Sequence, residues 1–122
     1  MEFEEITKQI IGCAYRVYNT LGYGFLESVY EKSMIVDLQF AGLLAESQKR
    51  IQVVYAGHNV GDFIADLIVN ETIIVELKSV QEIAVVHEVQ LVNYLKATNK
   101  PVGLLINFGP KEVEVKRKVK DL

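Results

Sequence analysis

Cysteine is nearly absent from this sequence, and long apolar runs and tryptophan are missing altogether. Cys13 is the single cysteine among 122 residues, which excludes an internal disulfide and favours a reducing compartment. The first ten residues are acidic and lack the basic-then-apolar pattern of a signal peptide. No apolar run approaches the length of a membrane span. We therefore expect a cytoplasmic protein with no membrane partner.

Excess positive charge is also missing. The formal net charge is -3, so the chain has no general attraction for nucleic acid, which counts against a simple nucleic-acid-binding module. A bound metal ion would change the local sign of a carboxylate cluster. Half of the residues are apolar and about a quarter are charged, as in an ordinary globular protein. We expect one domain over residues 1–122.

The hydrophobic pattern predicts eight elements. Helical spacing indicates helices over residues 4–20, 26–40 and 84–98. Strands are expected over residues 51–55, 59–69, 72–79 and 102–108, with a half-exposed edge strand around residues 113–119. The order α-α-β-β-β-α-β-β predicts an α/β fold of the α+β kind, in which a mixed sheet is flanked by helices.

Charged residues interrupt the apolar hairpin GDFIADLIVNETIIVELK, over residues 61–78. Asp66 lies in its first strand, and Glu76 and Lys78 lie in its second. A three-residue loop over residues 70–72 sets Asp66 opposite Glu76 and Ile64 opposite Lys78, whereas a two-residue turn separates the two acids onto different faces. We expect the first register.

That register predicts two distinct faces. One is continuously apolar and consists of Ala65, Leu67, Val69, Ile73, Val75 and Leu77. The other carries Ile64, Ile68 and Ile74 around the three charged residues. Two carboxylates on adjacent strands suit a hard divalent cation such as Mg²⁺ or Mn²⁺, and a lysine beside them can orient or deprotonate water. The alternative is a buried salt bridge between Lys78 and either acid.

Asp66 followed by Glu76-Leu77-Lys78 resembles the signature of the PD-(D/E)XK nuclease superfamily. The order of a helix, a three-stranded meander, a helix and a strand is similar to the restriction-endonuclease-like core of that superfamily. The resemblance implies that Asp66 and Glu76 bind Mg²⁺ or Mn²⁺, with the carbonyl of Leu77 as a further ligand. It also implies that Lys78 positions or activates water.

Two further motifs strengthen the resemblance. Gly24-Phe-Leu-Glu27-Ser-Val-Tyr30 is similar to the motif of the GxxExxY proteins within that superfamily, and the resemblance implies that Glu27 is a metal ligand. Glu31 lies one helical turn beyond Glu27 and is the competing candidate. Spacing alone favours core packing for Tyr30.

Gln90-Leu-Val-Asn-Tyr94 resembles the QxxxY motif of RecB-like and λ-exonuclease-like members. Residues four apart share a helix face, so both side chains can point at the hairpin. The resemblance implies that Gln90 has a catalytic role and that both residues bind substrate. Without it, a packed tyrosine and a solvated glutamine are the simpler interpretation.

The function implied is Mg²⁺-dependent hydrolysis of phosphodiester bonds in DNA, leaving a 5′-phosphate and a 3′-hydroxyl. An acidic chain of this size offers little surface to a duplex, so we expect a homodimer or a protein partner. One alternative is a catalytically silent nucleic-acid or protein interaction module on a nuclease-like scaffold. The other is an accessory nuclease subunit that needs a partner.

Overall fold

A computed structural model describes residues 2–120 of the chain. Two helices come first, α1 (Glu2–Leu21) and α2 (Glu27–Phe40). A meander follows, formed by β1 (Ala45–Tyr55), β2 (His58–Val69) and β3 (Ile73–Lys78). Helix α3 (Val85–Thr98) then leads to β4 (Val102–Phe108) and β5 (Val113–Val119). The predicted order of elements is confirmed.

The five strands form one mixed sheet in the order β1-β2-β3-β4-β5. β3 and β4 are parallel, because α3 crosses over the sheet between them, and every other neighbouring pair is antiparallel. β4 is buried along its whole length, as its apolar sequence predicts, and β5 is half-exposed at the edge. An α+β fold with helices on both faces is therefore what the sequence specifies.

The prediction for β1 is too short. It placed the strand over residues 51–55, whereas the strand begins at Ala45. The missed segment contains Glu46, Gln48, Lys49 and Arg50. Because these side chains are polar, the segment lacks the apolar alternation from which strands are predicted. Pairing along β2, from Ala45 opposite Val69 onwards, holds this segment in the sheet.

Two apolar clusters lie on opposite faces of the sheet. α1 and α2 cover the first, which includes Leu67, Val69, Ile73, Val75 and Leu77. α3 covers the second, which includes Ile68 and Ile74. The predicted alternation across the hairpin is confirmed for these seven residues.

Ala65 is the exception, and its predicted face is wrong. It packs with Ile51 and Ile68 beneath α3 rather than with Leu67. The ladder with the neighbouring strand is interrupted here, where Gln48 has a left-handed backbone (φ 54) and forms no ladder pair with Asp66. The register is the same on both sides of this interruption, with Ser47 opposite Leu67 and Lys49 opposite Ala65, so the change of face occurs without an inserted residue.

α3 approaches β4 closely at Gly103. A Cβ atom at this position would lie 2.7 Å from Cδ1 and 3.0 Å from Cγ of Leu91, which is fully buried. The absence of a side chain therefore lets the helix lie directly on the strand. Among residues 2–120, no helix is both long enough and apolar enough to cross a membrane.

Gly103→Ala should lower the free energy of unfolding by about 1–3 kcal/mol, because Leu91 must move within a packed core. Urea unfolding measures the change. Gly61→Ala is the matched control, since a Cβ there meets only ordinary contacts at 3.8 Å or more. An equal loss of stability in the two variants would contradict the close approach of α3.

Candidate active site

The two predicted acids lie where β2 and β3 separate. The antiparallel pairing of the strands ends at Leu67 opposite Val75, in the register set by the three-residue loop. Beyond that pair, the backbone N–H of Asp66 donates to Oε2 of Glu76 at 2.9 Å. The N–H of Leu77 donates to Oδ2 of Asp66 at 2.8 Å. Each carboxylate thus replaces a backbone carbonyl that the ladder would otherwise supply.

Because the two strands separate, the predicted pairing of Ile64 with Lys78 does not form. β2 and β3 pair only over residues 67–69 and 73–75, so Ile64 and Lys78 are not partners in the ladder. Ile64 instead lies opposite Arg50 on β1 and is 56% exposed. The gap between β2 and β3 beyond Leu67 and Val75 leaves access to the two acids.

Burial and mutual repulsion dominate the electrostatics of the acid pair. Glu76 is buried, and its pKa rises to about 8, first because burial disfavours its charge and second because the Asp66 carboxylate lies nearby. Burial also raises the pKa of Asp66, while the hydrogen bond from Leu77 N–H lowers it. Two acids that resist ionisation together form a site that a cation would stabilise.

Lys78 lies close enough to influence both acids without touching either. Its positive charge lowers the pKa of Asp66 and that of Glu76. The ion pairs recorded for residues 2–120 do not include Lys78, so the alternative of a direct salt bridge is wrong. The half-buried ammonium group is left available to a water molecule or a phosphate.

Glu27 reaches the site from the first residue of α2. Its Oε2 accepts a hydrogen bond from the backbone N–H of Ser79 at 3.2 Å, directly after Lys78. Its negative charge is among the influences that raise the pKa of Asp66, after burial. Glu27 is exposed, in contrast to Glu76.

Tyr30 belongs to the core, as its spacing predicts. The ring stacks on Phe108 with centroids 4.2 Å apart and planes inclined by 5°. Its hydroxyl group donates to the carbonyl of Gly22 and accepts from the N–H of Phe25. Tyr30 therefore fixes the loop that leads into Glu27, and it does not line the site.

Glu31 and Gln48 add a contact that sequence reasoning missed. Gln48 Nε2 donates to Oε1 of Glu31 at 2.8 Å. Burial chiefly raises the pKa of Asp66, and Gln48 is among the groups that lower it. Burial raises the pKa of Glu31, and the Asp66 charge raises it further. The sequence signalled Glu31 only by its spacing from Glu27, and Gln48 lies in a polar run that carries no motif.

Helix α3 supplies the other two predicted residues. Tyr94 is 5% exposed, and its ring centroid lies 5.2 Å from that of Phe63. Burial raises the pKa of its phenol, and the charges of Glu76 and Asp66 raise it further, which places Tyr94 beside the acid pair. Gln90 lies one turn earlier on the same helix and is half-buried. No recorded hydrogen bond joins Gln90 to the acids within the described part of the chain.

Asn107 fixes the chain where it leaves the site. This fully buried side chain lies next to Lys78 in the parallel ladder. Its Oδ1 accepts from the N–H of Val80, and its Nδ2 donates to the Val80 carbonyl, both at 2.9 Å. Nδ2 also donates to Oε1 of Glu114 at 3.0 Å. The backbone two residues after Lys78 is thereby held at both of its polar groups.

The donor set fits a hard cation. No cluster of three or more His, Cys, Asp or Glu side chains within residues 2–120 is arranged to hold a metal ion. Mg²⁺ commonly takes only one or two carboxylates and completes its shell with water and phosphate oxygens. The buried pair, Asp66 and Glu76, meets that requirement, and both have raised pKa values that a bound cation would oppose.

Comparison with solved structures supports the architecture. The crystal structure of SSO0001 is similar, with a TM-score of 0.62 and 19% sequence identity over 78% of this chain and 50% of that chain. The chain thus spans about half the length of that protein, and the likeness concerns the fold. Comparison with curated proteins gives no match.

Comparison with protein-family models identifies the family of the chain. The model of the PD-(D/E)XK nuclease superfamily matches residues 4–118, a range that contains the acid pair, Lys78 and all three helices but for the first two residues of α1. The match extends over nearly the whole chain. The chain therefore belongs to the PD-(D/E)XK nuclease superfamily.

Proposed function

We propose that this chain is a nuclease that hydrolyses phosphodiester bonds in DNA with the help of Mg²⁺ or Mn²⁺. One observation carries the proposal: two carboxylates, Asp66 and Glu76, are held together by reciprocal hydrogen bonds to backbone, with Lys78 nearby but not paired to either. Membership of a nuclease superfamily supports the reaction class. The motifs around Glu27 and Gln90 support placement among the GxxExxY proteins and a QxxxY-type site.

The acid pair would hold the cation. Asp66 and Glu76 are the carboxylate ligands, the carbonyl of Leu77 is a backbone ligand, and Glu27 contributes from α2. When bound, the ion neutralises charge on the phosphate and lowers the pKa of coordinated water. The two carboxylates need no large rearrangement for this role, because backbone N–H groups already orient both of them.

The remaining residues act on water and phosphate. Lys78 donates a hydrogen bond to the attacking water or to a phosphate oxygen. Gln90 holds the water or the phosphate from α3, and Tyr94 contributes to substrate binding beside the acids. A general acid or base placed in this way contributes about 10²–10⁴-fold to rate.

Two alternatives remain distinct from this proposal. A catalytically silent interaction module on the same scaffold would bind no divalent ion at the acid pair. An accessory subunit, or a homodimer, would bind the ion but hydrolyse DNA only in the assembled state. A metal titration separates the first alternative, and activity of the isolated chain separates the second. A single domain over residues 1–122 and a cytoplasmic location stay predictions.

Lys78→Ala should lower kcat by about 10²–10⁴-fold while leaving the affinity for Mg²⁺ within a few-fold of wild type, because the lysine acts on water and not on the ion. Asp66→Ala and Glu76→Ala should abolish the calorimetric signal of Mg²⁺ or Mn²⁺ binding. Cleavage of labelled DNA and isothermal titration calorimetry provide the two measurements.

Lys8→Ala and Glu5→Gln are matched controls, since both residues are exposed on α1. They should change neither metal affinity nor turnover. Wild-type turnover by Lys78→Ala would contradict the proposed mechanism, and metal binding that survives Glu76→Ala would remove the acid pair as its site.

Stability of the metal-free protein should fall as pH rises from about 5 to about 8. Folded Glu76 keeps its proton until about pH 8, whereas the unfolded chain releases it above the ordinary pKa of 4.5. The unfolded state therefore binds fewer protons in this window, and the free energy of unfolding decreases with pH. Urea unfolding in a chelating buffer measures the slope.

Glu76→Gln supplies the control for that slope, because the amide oxygen can still accept from Asp66 N–H but cannot ionise. Its slope between pH 5 and pH 8 should be shallower than that of wild type. Mg²⁺ affinity of the wild type should rise over the same window, since the ion displaces a proton. Identical slopes in the two proteins would refute the raised pKa.

A further inference from the structure

A pocket opens beside Glu27, outside the acid pair. It has a volume of about 350 Å³ and is formed by the connection between α1 and α2 together with the residue that follows β3. We call it the loop pocket; its lining residues are Tyr23, Gly24, Phe25, Leu26, Glu27 and Ser79. Small-molecule sites commonly begin at about 300 Å³, so this volume suits one planar ring system.

Three large apolar side chains of the loop pocket are exposed, beside the polar side chains of Glu27 and Ser79. Tyr23 is 41% exposed, Phe25 is 45% exposed and Leu26 is 77% exposed. Gly24 lies between the two aromatic residues with φ +114, a backbone conformation that side-chain-bearing residues rarely adopt. The ring of Phe25 rests edge-on against Tyr30, with centroids 6.2 Å apart, so it is anchored in the core while part of it faces solvent.

Hydrogen bonds join the loop pocket to the end of β3, directly after Lys78. Ser79 Oγ donates to the carbonyl of Phe25 at 3.1 Å, and Ser79 N–H donates to Glu27. Ser79 directly follows Lys78 in sequence. A strand whose phosphate lies at Lys78 would therefore carry an adjacent base into the region of the loop pocket.

The net negative charge of the chain gives it no general attraction for the phosphates of a duplex. Duplex binding depends on Lys and Arg side chains that are free to contact phosphate. Within residues 2–120, four of the 13 Lys and Arg side chains are in ion pairs: Arg16 with Asp37, Lys49 with Glu46, Arg50 with Asp62, and Lys118 with Glu88. The chain as a whole is acidic. Aromatic stacking, in contrast, needs an unpaired base and no net charge.

We infer that the loop pocket binds an unpaired base of the substrate strand, stacked against Tyr23 and Phe25, so that the site acts on single-stranded DNA or unpaired ends. The inference rests on the proposed function for its substrate class. A duplex is disfavoured as the ligand of the loop pocket, because its bases are already stacked on one another and are not available to Tyr23 and Phe25.

Fluorescence anisotropy of a labelled single-stranded DNA oligonucleotide tests the pocket, with Ca²⁺ replacing Mg²⁺ to prevent cleavage. Tyr23→Ala should weaken binding by about 5- to 150-fold, the range that corresponds to the loss of one base stack. Tyr15→Ala is the matched control, because Tyr15 is 46% exposed on α1. Its affinity should equal that of wild type.

A second pair of variants guards against misfolding. Phe25→Ala should weaken binding in the same range, whereas Phe40→Ala should not, although Phe40 is 85% exposed. Phe40 ends α2, about 20 Å along the helix axis from Glu27. Thermal unfolding of all four variants confirms that each one folds.

An abasic oligonucleotide with the same phosphates completes the test. Wild type should bind it at least as weakly as Tyr23→Ala binds the normal strand, and Tyr23→Ala should cause no further loss of affinity for the abasic strand. Equal binding of abasic and normal strands, tighter binding of a duplex, or binding of neither strand overturns the inference. Base-dependent binding without DNA cleavage in Mg²⁺ would contradict only the nuclease proposal, and cleavage without base dependence would contradict only the loop pocket.

Discussion

Two carboxylates must stay close together inside an apolar sheet, and the rest of the site follows from that constraint. Burial and mutual repulsion both oppose the charge of Glu76, as its pKa of about 8 shows. The pair persists because the separation of β2 from β3 leaves two backbone N–H groups without carbonyl partners, and the carboxylates of Asp66 and Glu76 accept from them. An unsatisfied N–H group in such a place would itself be costly, so the acids and the opening of the sheet stabilise one another.

The sequence predicts this arrangement well because its causes are local. Alternation along a strand and the length of one turn decide which side chains face each other, and both can be counted from residues 61–78. The same holds for β4, whose unbroken apolar run indicates a strand buried on both faces. Tyr30 was assigned to the core from helical spacing alone, and its stacking on Phe108 agrees.

Features that depend on residues far apart in the chain cannot be predicted from such local patterns. Gln48 is 17 residues from Glu31, and nothing in the polar segment around it marks a contact with the acids. Its left-handed backbone also coincides with the interruption of the ladder beside which Ala65 lies on the face beneath α3, and strict alternation does not allow for this. The early start of β1 has the same origin, since pairing with β2 holds residues whose own side chains carry no strand signal. Glu27 and Glu31 share a helix face, and only the folded chain shows that the first contacts Ser79 and the second contacts Gln48.

The hydrogen bonds of Asn107 restrict the motion of the segment that follows the candidate active site. Its amide pairs with both polar groups of Val80, so the segment that connects Lys78 to α3 is tied to the fully buried strand β4 before any ligand arrives. Lid-type enzymes assemble their catalytic groups by moving such a connection over the bound substrate. Here, movement of that connection would break two buried hydrogen bonds, each made by a side chain with no access to water. The backbone that follows Lys78 is thus preorganised: the fold fixes its position before any ligand binds.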